Sequence, residues 1–188
     1  MSSVFLSIKR LMDIVLCMMV FFCVLPLFVL IPILVKITSK GPVFYIQKRI
    51  GKGKKQFNII KFRTMVSTTK EQSKNWSKDE EERITSIGRF LRDYGLDELP
   101  QLYNIVKGDM SIVGPRSMIP MIFTDLSSEK QEKLTRMRSG VLCLSAINGR
   151  RSLSVNKRIE YQIKYVEEWT LRLDLKILWK SLFVVLSR

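Results

Sequence analysis

The sequence contains no histidine. That absence excludes Ser-His-Asp and Cys-His nucleophile systems and every His-ligated metal site. Any acid, base or nucleophile must therefore be Asp, Glu, Lys, Tyr or Cys. Cysteine is scarce: Cys17, Cys23 and Cys143, with no Cys-x-x-Cys spacing. Two of the three sit in an apolar run, so they read as reduced, buried small hydrophobes in a reducing compartment. Acids are few as well, 17 against 32 Lys and Arg, for a formal net charge of +15. Such a surplus suits an anionic partner: nucleic acid, an anionic membrane surface or phosphorylated substrates. The 188 residues show no internal repeat, no long linker and no second domain, and they suffice for one domain with a modest core.

One stretch carries no charge at all. Residues 14–35, IVLCMMVFFCVLPLFVLIPILV, number 22. As a helix they extend about 33 Å, enough for a hydrocarbon layer of about 30 Å. The run is long for a signal peptide, and no small-residue cleavage site follows it. Pro26 near its middle removes a backbone donor and clashes one turn back, so a break is expected there; Pro32 lies in the same run. Lys9 and Arg10 precede the run, and Lys36, Lys40, Lys48, Arg49, Lys52, Lys54 and Lys55 follow it. Basic flanks favour the cytoplasmic side, so a helix broken at Pro26 that enters and returns keeps both ends inside. The alternative is a Pro-kinked single span with Lys9 and Arg10 outside. A nucleic-acid partner would explain the charge but not this segment, and none is expected.

Residues 36–70 hold ten basic residues and no acid. Two strand-like runs, PVFYIQKRI (42–50) and QFNIIKFRTM (56–65), flank GKGKK and predict a β-hairpin. A basic hairpin suits lipid headgroups or a phosphorylated substrate; the alternative is a solvated edge whose lysines prevent aggregation. Residues 66–83 read as a mobile loop leading into a helix. ITSIGRFLRDYG (84–95) predicts a short amphipathic helix with Arg89 and Arg92 on a common side. Residues 125–140 predict another helix, with Gly140 as its C-cap. GVLCLSAINGRR (140–151) is an apolar run ending in a turn and two arginines. Residues 157–186 are helical in pattern. Their indoles, leucines and basic residues suggest a helix lying in a bilayer interface, with a core-packed helix as the alternative. The class is α+β, mostly helical, with a membrane segment over 1–38 and a cytoplasmic domain over 39–188.

The sharpest local pattern is DELPQLYNIVKGDMSIVGPR, 97–116. Asp97 reads as a helix N-cap, Glu98 in the first turn suits the helix dipole, and Gly108 can end the helix. Capping alone explains the acids. Their neighbours add a second reading. A helix N-terminus offers N–H groups to an anion, with Arg89 and Arg92 upstream and Gly-Pro-Arg at 114–116 downstream. Arginine binds phosphate with a planar fork. Acids among such cations suggest Mg²⁺-phosphate chemistry, because Mg²⁺ takes one or two carboxylates plus phosphate oxygens. Asp109, in GDMS, also fits a structural turn.

SIGRFLRDYGLDELPQLYNIVKGDMSIVGPR (86–116) closely resembles the signature of the bacterial sugar transferases, the small monotopic phosphoglycosyl transferases. The resemblance extends to the proline-broken N-terminal helix, KFRTM (61–65), NGR (148–150) and LDLKIL (173–178). It implies transfer of a sugar 1-phosphate from a UDP-sugar to polyprenol (undecaprenyl) phosphate, with release of UMP. The place is the cytoplasmic face of the bacterial inner membrane, among phospholipids, with a re-entrant membrane helix. The step opens capsule, exopolysaccharide, O-antigen or glycoprotein glycan assembly. By position, Asp97 would be the nucleophile of a covalent aspartyl phospho-sugar intermediate. Glu98 would assist on the metal side or in proton handling, and both would meet Mg²⁺. Lys61, Arg92 and Arg116 look like phosphate-site residues, Arg150 like the nucleotide end, and Asp174 like a further family acid of open role. A homodimer is left open as an assembly. Three departures stand out: Leu25 replaces the serine before Pro26, Ser117 replaces the proline after Arg116, and LCLSA (142–146) replaces Thr-Gly-Trp-Ala-Gln. The first removes a hydroxyl that could bond a carbonyl freed at the break, the second loosens the backbone after Arg116, and the third points to an altered donor or weakened activity; the last two keep a non-catalytic, partner-type member as the alternative.

Overall fold

The computed structural model describes residues 3–66, 83–149 and 152–186. Arg150 and most of the 66–83 stretch lie outside the described residues. Helices α1 (Ser3–Cys23) and α2 (Leu27–Thr38) form the N-terminal part. No single described helix is long and apolar enough to cross a membrane, but this pair is bent by 64° at the break. Pro26 stands immediately before α2. There its missing N–H and fixed φ cost nothing, whereas within a continuous helix they would break the ladder.

The expected hairpin is present. β1 (Phe44–Ile50) pairs antiparallel with β2 (Gln56–Phe62), with Tyr45 opposite Lys61. Helix α3 (Ser86–Tyr94) is capped by the Thr85 hydroxyl, which accepts from the Gly88 N–H at 2.9 Å. Helix α4 (Gln101–Lys107) ends at Gly108, whose φ of 99° is left-handed. After it come β3 (Met110–Val113), α5 (Pro120–Thr124), α6 (Ser128–Leu134) and β4 (Ser139–Leu142). The chain then forms α7 (Val155–Glu167) and α8 (Leu171–Leu186).

Gly140 is not a helix C-cap. It lies in β4, which pairs in parallel with β3, with Ser111 opposite Gly140. A Cβ on Gly140 would stand 2.0 Å from the Gly114 nitrogen, so glycine is required by close backbone approach. The predicted long C-terminal helix is two helices. The Thr170 hydroxyl accepts from the Leu173 N–H at 3.1 Å and starts α8 afresh.

Three apolar clusters form the core. Cys17 of α1 meets Phe57, Ile59, Ile105 and Met110. Ile31 and Val35 of α2 meet Phe62 and Leu91. Val113 and Met137 meet Tyr165, Val166 and Ile177. Cys17 and Cys143 are buried as expected, but Cys23 is exposed. Six residues beyond Cys17, it lies about 240° around the helix and faces away from the hairpin.

Much apolar surface stays outside. Phe22, Val29 and Ile37 are 65%, 66% and 76% exposed. On α8, Leu175, Trp179, Leu182 and Phe183 are exposed at helical spacing, while Ile177 and Asp174 face inward. The C-terminal helix is therefore both core-packed and amphipathic, one role to each face. Contiguous exposed apolar surface of this kind marks an interaction site.

Candidate active site

Gly95 closes α3 with a left-handed φ of 71° and leads straight into a 3₁₀ turn, Leu96–Glu98. Pro100 then opens α4. Asp97 and Glu98 are thus held between a left-handed glycine and a proline. The N-cap reading of Asp97 is not what is found: neither the turn nor α4 carries a side-chain cap. The tight turn directs the carboxylates inward, and Asp97 is 8% exposed.

Lys61 on β2 reaches both acids. Its Nζ lies 2.5 Å from Glu98 Oε1 and 3.8 Å from Asp97 Oδ2. Arg116, on the Gly-Pro-Arg segment, places Nη2 3.9 Å from Glu98 Oε1. Arg92, in the last turn of α3, donates from Nε to the Thr64 hydroxyl at 2.8 Å and acts on the charge of Asp97. Three separate segments therefore converge on one pair of acids. Arg150 lies outside the described residues.

The two acids are driven apart. Burial pushes Asp97 up to about 6, with Lys61 pulling down and Glu98 adding to the rise. At Glu98 burial also pushes upward, but Lys61 and then Arg116 outweigh it and hold the carboxyl below its usual range. Environments that separate a carboxylate pair assign different roles to its members. Glu98 stays ionised and holds the lysine, whereas Asp97 is the more basic oxygen.

Asp174, grouped with the site by resemblance, makes its contacts elsewhere. Its carboxylate accepts from Lys9 Nζ at 2.6 Å, the Tyr165 hydroxyl at 2.6 Å and Trp169 Nε1 at 3.2 Å. It is 4% exposed. Lys9 also lies 3.9 Å from Asp13, which accepts from Ser111 Oγ and the Ile112 N–H. Burial, then the charge of Asp174, pushes the Tyr165 phenol far up, so it donates as a neutral hydroxyl. This buried network ties α1 to β3 and α8. Asp109 likewise pairs with Lys107, at 3.0 Å, in the turn after α4.

Several contributors had no visible signal in the sequence. Gln101, 2% exposed, lies beside Glu98 and helps hold its carboxyl low. Asn104, 1% exposed, accepts from the Ile60 N–H at 3.2 Å and donates to Asn58 O at 2.8 Å, fixing β2 beside Lys61. Arg49 at the end of β1 donates to Ser117 O at 3.3 Å and Gln47 Oε1 at 2.6 Å. In the altered 142–146 stretch, the Cys143 thiol neighbours Arg116 and lies 3.3 Å from Ser145 Oγ. The departure from the family pattern therefore touches the site itself.

Asp97 and Glu98 are the only two acids gathered here among the described residues, and no described group of three or more metal-type ligands exists. That donor set does not make a closed protein cage. It does fit Mg²⁺ bound through two carboxylates and completed by phosphate oxygens and water.

The model of the bacterial sugar transferase family matches residues 4–188. A Bacillus subtilis relative named "uncharacterized sugar transferase EpsL" is 40% identical over 91% of this chain and 83% of its own length. The exopolysaccharide production protein ExoY of Sinorhizobium fredii is 35% identical over 96% of this chain and 86% of its own length. The UDP-glucose:undecaprenyl-phosphate glucose-1-phosphate transferase of Klebsiella pneumoniae is 35% identical over 93% of this chain, but the match spans 39% of that longer protein. A bend at Pro26, an inward-facing Asp97-Glu98 pair under three cations, and a match running from residue 4 to residue 188 together mean that the chain belongs to the bacterial sugar transferase family.

Proposed function

We propose that the chain is a phosphoglycosyl transferase that moves a sugar 1-phosphate from a UDP-sugar to polyprenol (undecaprenyl) phosphate and releases UMP. The observation carrying this reading is Asp97: a buried carboxylate of raised basicity, beside a lysine-paired Glu98, with Arg92 and Arg116 at hand. The Klebsiella relative's name supports the donor and acceptor classes. In the first step an Asp97 oxygen attacks the sugar-bearing β-phosphorus, the bond from that phosphorus to the bridging oxygen breaks, and UMP leaves. In the second, a polyprenol phosphate oxygen attacks the aspartyl phospho-sugar. The Asp97–phosphorus bond breaks, and polyprenyl diphospho-sugar departs. A carboxylate is an adequate nucleophile at phosphorus without histidine. Lys61, Arg92 and Arg116 supply fixed positive charge, which does most of the work in phosphoryl transfer. Glu98 holds Lys61 in place. Asp97 and Glu98 are the residues that would hold Mg²⁺, which would supply neutralisation of the diphosphate. Arg150 remains the candidate for the nucleotide end on sequence grounds. Purified protein given Mg²⁺, polyprenol phosphate and a panel of UDP-sugars should release UMP with at least one donor. Release from none would favour the non-catalytic, partner-type reading, to which the 142–146 departure points.

The raised Asp97 sets the acid limb of the pH profile. The reactive form is the carboxylate, so kcat/KM measured at limiting Mg²⁺, which reports the metal-free enzyme, should fall about tenfold for each pH unit below about 6. An acid limb centred near pH 4, the ordinary carboxyl range, would disprove this assignment.

The bent α1–α2 pair and the exposed face of α8 would seat the chain on phospholipid at the cytoplasmic face, with the bent pair entering and returning. Single cysteines at positions 3 and 39 in a chain otherwise lacking cysteine should both be labelled from the cytoplasmic side. Labelling of position 3 from the opposite side would sink the re-entrant arrangement.

A further inference from the structure

We propose that Arg49 and Arg116 together seat a phosphoryl oxyanion of the substrate, which makes Arg49 a binding residue of this site. The identity of that substrate rests on the transferase reading; the anion seat does not. Two hydrogen bonds, one from the backbone and one from the Arg49 side chain, bring the arginines together. The Ile50 N–H donates to Met118 O at 2.9 Å, which bridges the end of β1 to the chain just beyond Gly-Pro-Arg. Arg49 Nη1 then donates to the carbonyl of Ser117, the residue that follows Arg116.

The partners of Arg49 do not neutralise it. Its two hydrogen bonds go to a carbonyl and a side-chain amide, both uncharged, and its buried Nε has no acceptor. Glu98 is the acid that acts on Arg49, but its Oε1 is held by Lys61 at 2.5 Å. Burial and then the nearby Arg116 lower Arg49 to about 10, so it remains charged at neutral pH. Two like charges kept close and partly desolvated are unfavourable in isolation and become favourable once an anion bridges them. Each guanidinium offers a planar fork matched to phosphate. Arg116, with its side chain 48% exposed, leaves the seat open on one side. The same phosphoryl chemistry is carried by the diphosphate of a donor and by the phosphate of a lipid acceptor.

The test uses full-length protein in lipid nanodiscs. Inorganic pyrophosphate binding is titrated, and UMP release is measured with donor and acceptor varied separately. Arg49→Gln should weaken pyrophosphate binding about tenfold or more, the scale of a lost charged hydrogen bond, with Arg49→Lys in between. KM should rise more than kcat falls, for the donor if the seat takes the diphosphate and for the acceptor if it takes the lipid phosphate. Unchanged pyrophosphate affinity in Arg49→Gln overturns the proposal, as does an unchanged KM for both substrates. If Arg49→Gln does not fold, Arg49→Lys decides: it keeps the charge but loses the fork, and wild-type affinity would refute the seat. A protein that releases no UMP yet binds pyrophosphate through Arg49 would reject the transferase reading and keep the seat.

Discussion

Replacing Asp97 by asparagine is expected to remove UMP release, with a loss on the order of 10⁴-fold or more, the scale seen when a covalent nucleophile is deleted. The change is nearly isosteric. It leaves Glu98 on Lys61 and the arginines in place, so substrate binding should survive. At neutral and alkaline pH the fold should gain stability. Asp97 titrates near 6 in the folded chain against an ordinary 3.8. The folded state therefore binds the proton more tightly, and the stability this gives is complete below about pH 3.8. It is lost as pH rises through 6. The asparagine amide cannot ionise, so the variant should melt higher than wild type at pH 8, by roughly 1–3 kcal/mol, with the gap closing toward pH 4. Undiminished turnover in this variant would remove Asp97 as nucleophile.

Asp174→Ala is expected to destabilise the chain by about 3–5 kcal/mol, because the buried Lys9 ammonium loses its 2.6 Å partner and keeps only Asp13, at 3.9 Å. For a chain of this size that lowers Tm by roughly 6–20 °C. The Tyr165 hydroxyl keeps Val113 O as an acceptor at 3.2 Å, so most of the cost should come from the weakened pairing of the Lys9 charge. Replacing both partners, Lys9→Met with Asp174→Leu, should recover much of the loss, since a buried ion pair contributes little net stability over apolar packing. A Tm unchanged in Asp174→Ala would show that the pair is not buried as described.

The sequence disclosed features whose causes are local. Pro26 breaks the apolar run wherever it stands, Gly108 ends a helix because it can adopt a left-handed φ, and alternating strands around GKGKK give the hairpin. Features caused by distant partners were not legible. Gly140 looks like a helix stop until β4 is laid beside β3, where its missing side chain admits the Gly114 backbone. Asp97 looks like a cap because Asp before a helix usually is one; a left-handed Gly95 followed by Pro100 makes a tight turn instead. Asp174 resembles a site acid until Lys9, 165 residues earlier, is found against it. At the candidate site, the charges of Lys61, Arg92 and Arg116 were visible, but the neutral groups that hold them were not. Nothing in Gln101 or Asn104 as letters marks them as buried supports of a carboxylate pair.

The Lys9–Asp174 contact also imposes an order of events during synthesis. Helix α1 emerges with its lysine and with Asp13, 3.9 Å from it in the folded chain, while the closer acid, Asp174 at 2.6 Å, is 165 residues further along the chain. At ribosomal speeds of 5–20 residues per second, roughly 8–33 s separate the two. Throughout that interval Lys9 has no Asp174 to meet, while Asp13 on the same helix has Ser111 and the Ile112 N–H of β3 as partners once β3 is made. The final seating of α1 is thus completed by α8, so a chain cut before residue 174 should leave the Lys9 end of α1 without its closest charged contact.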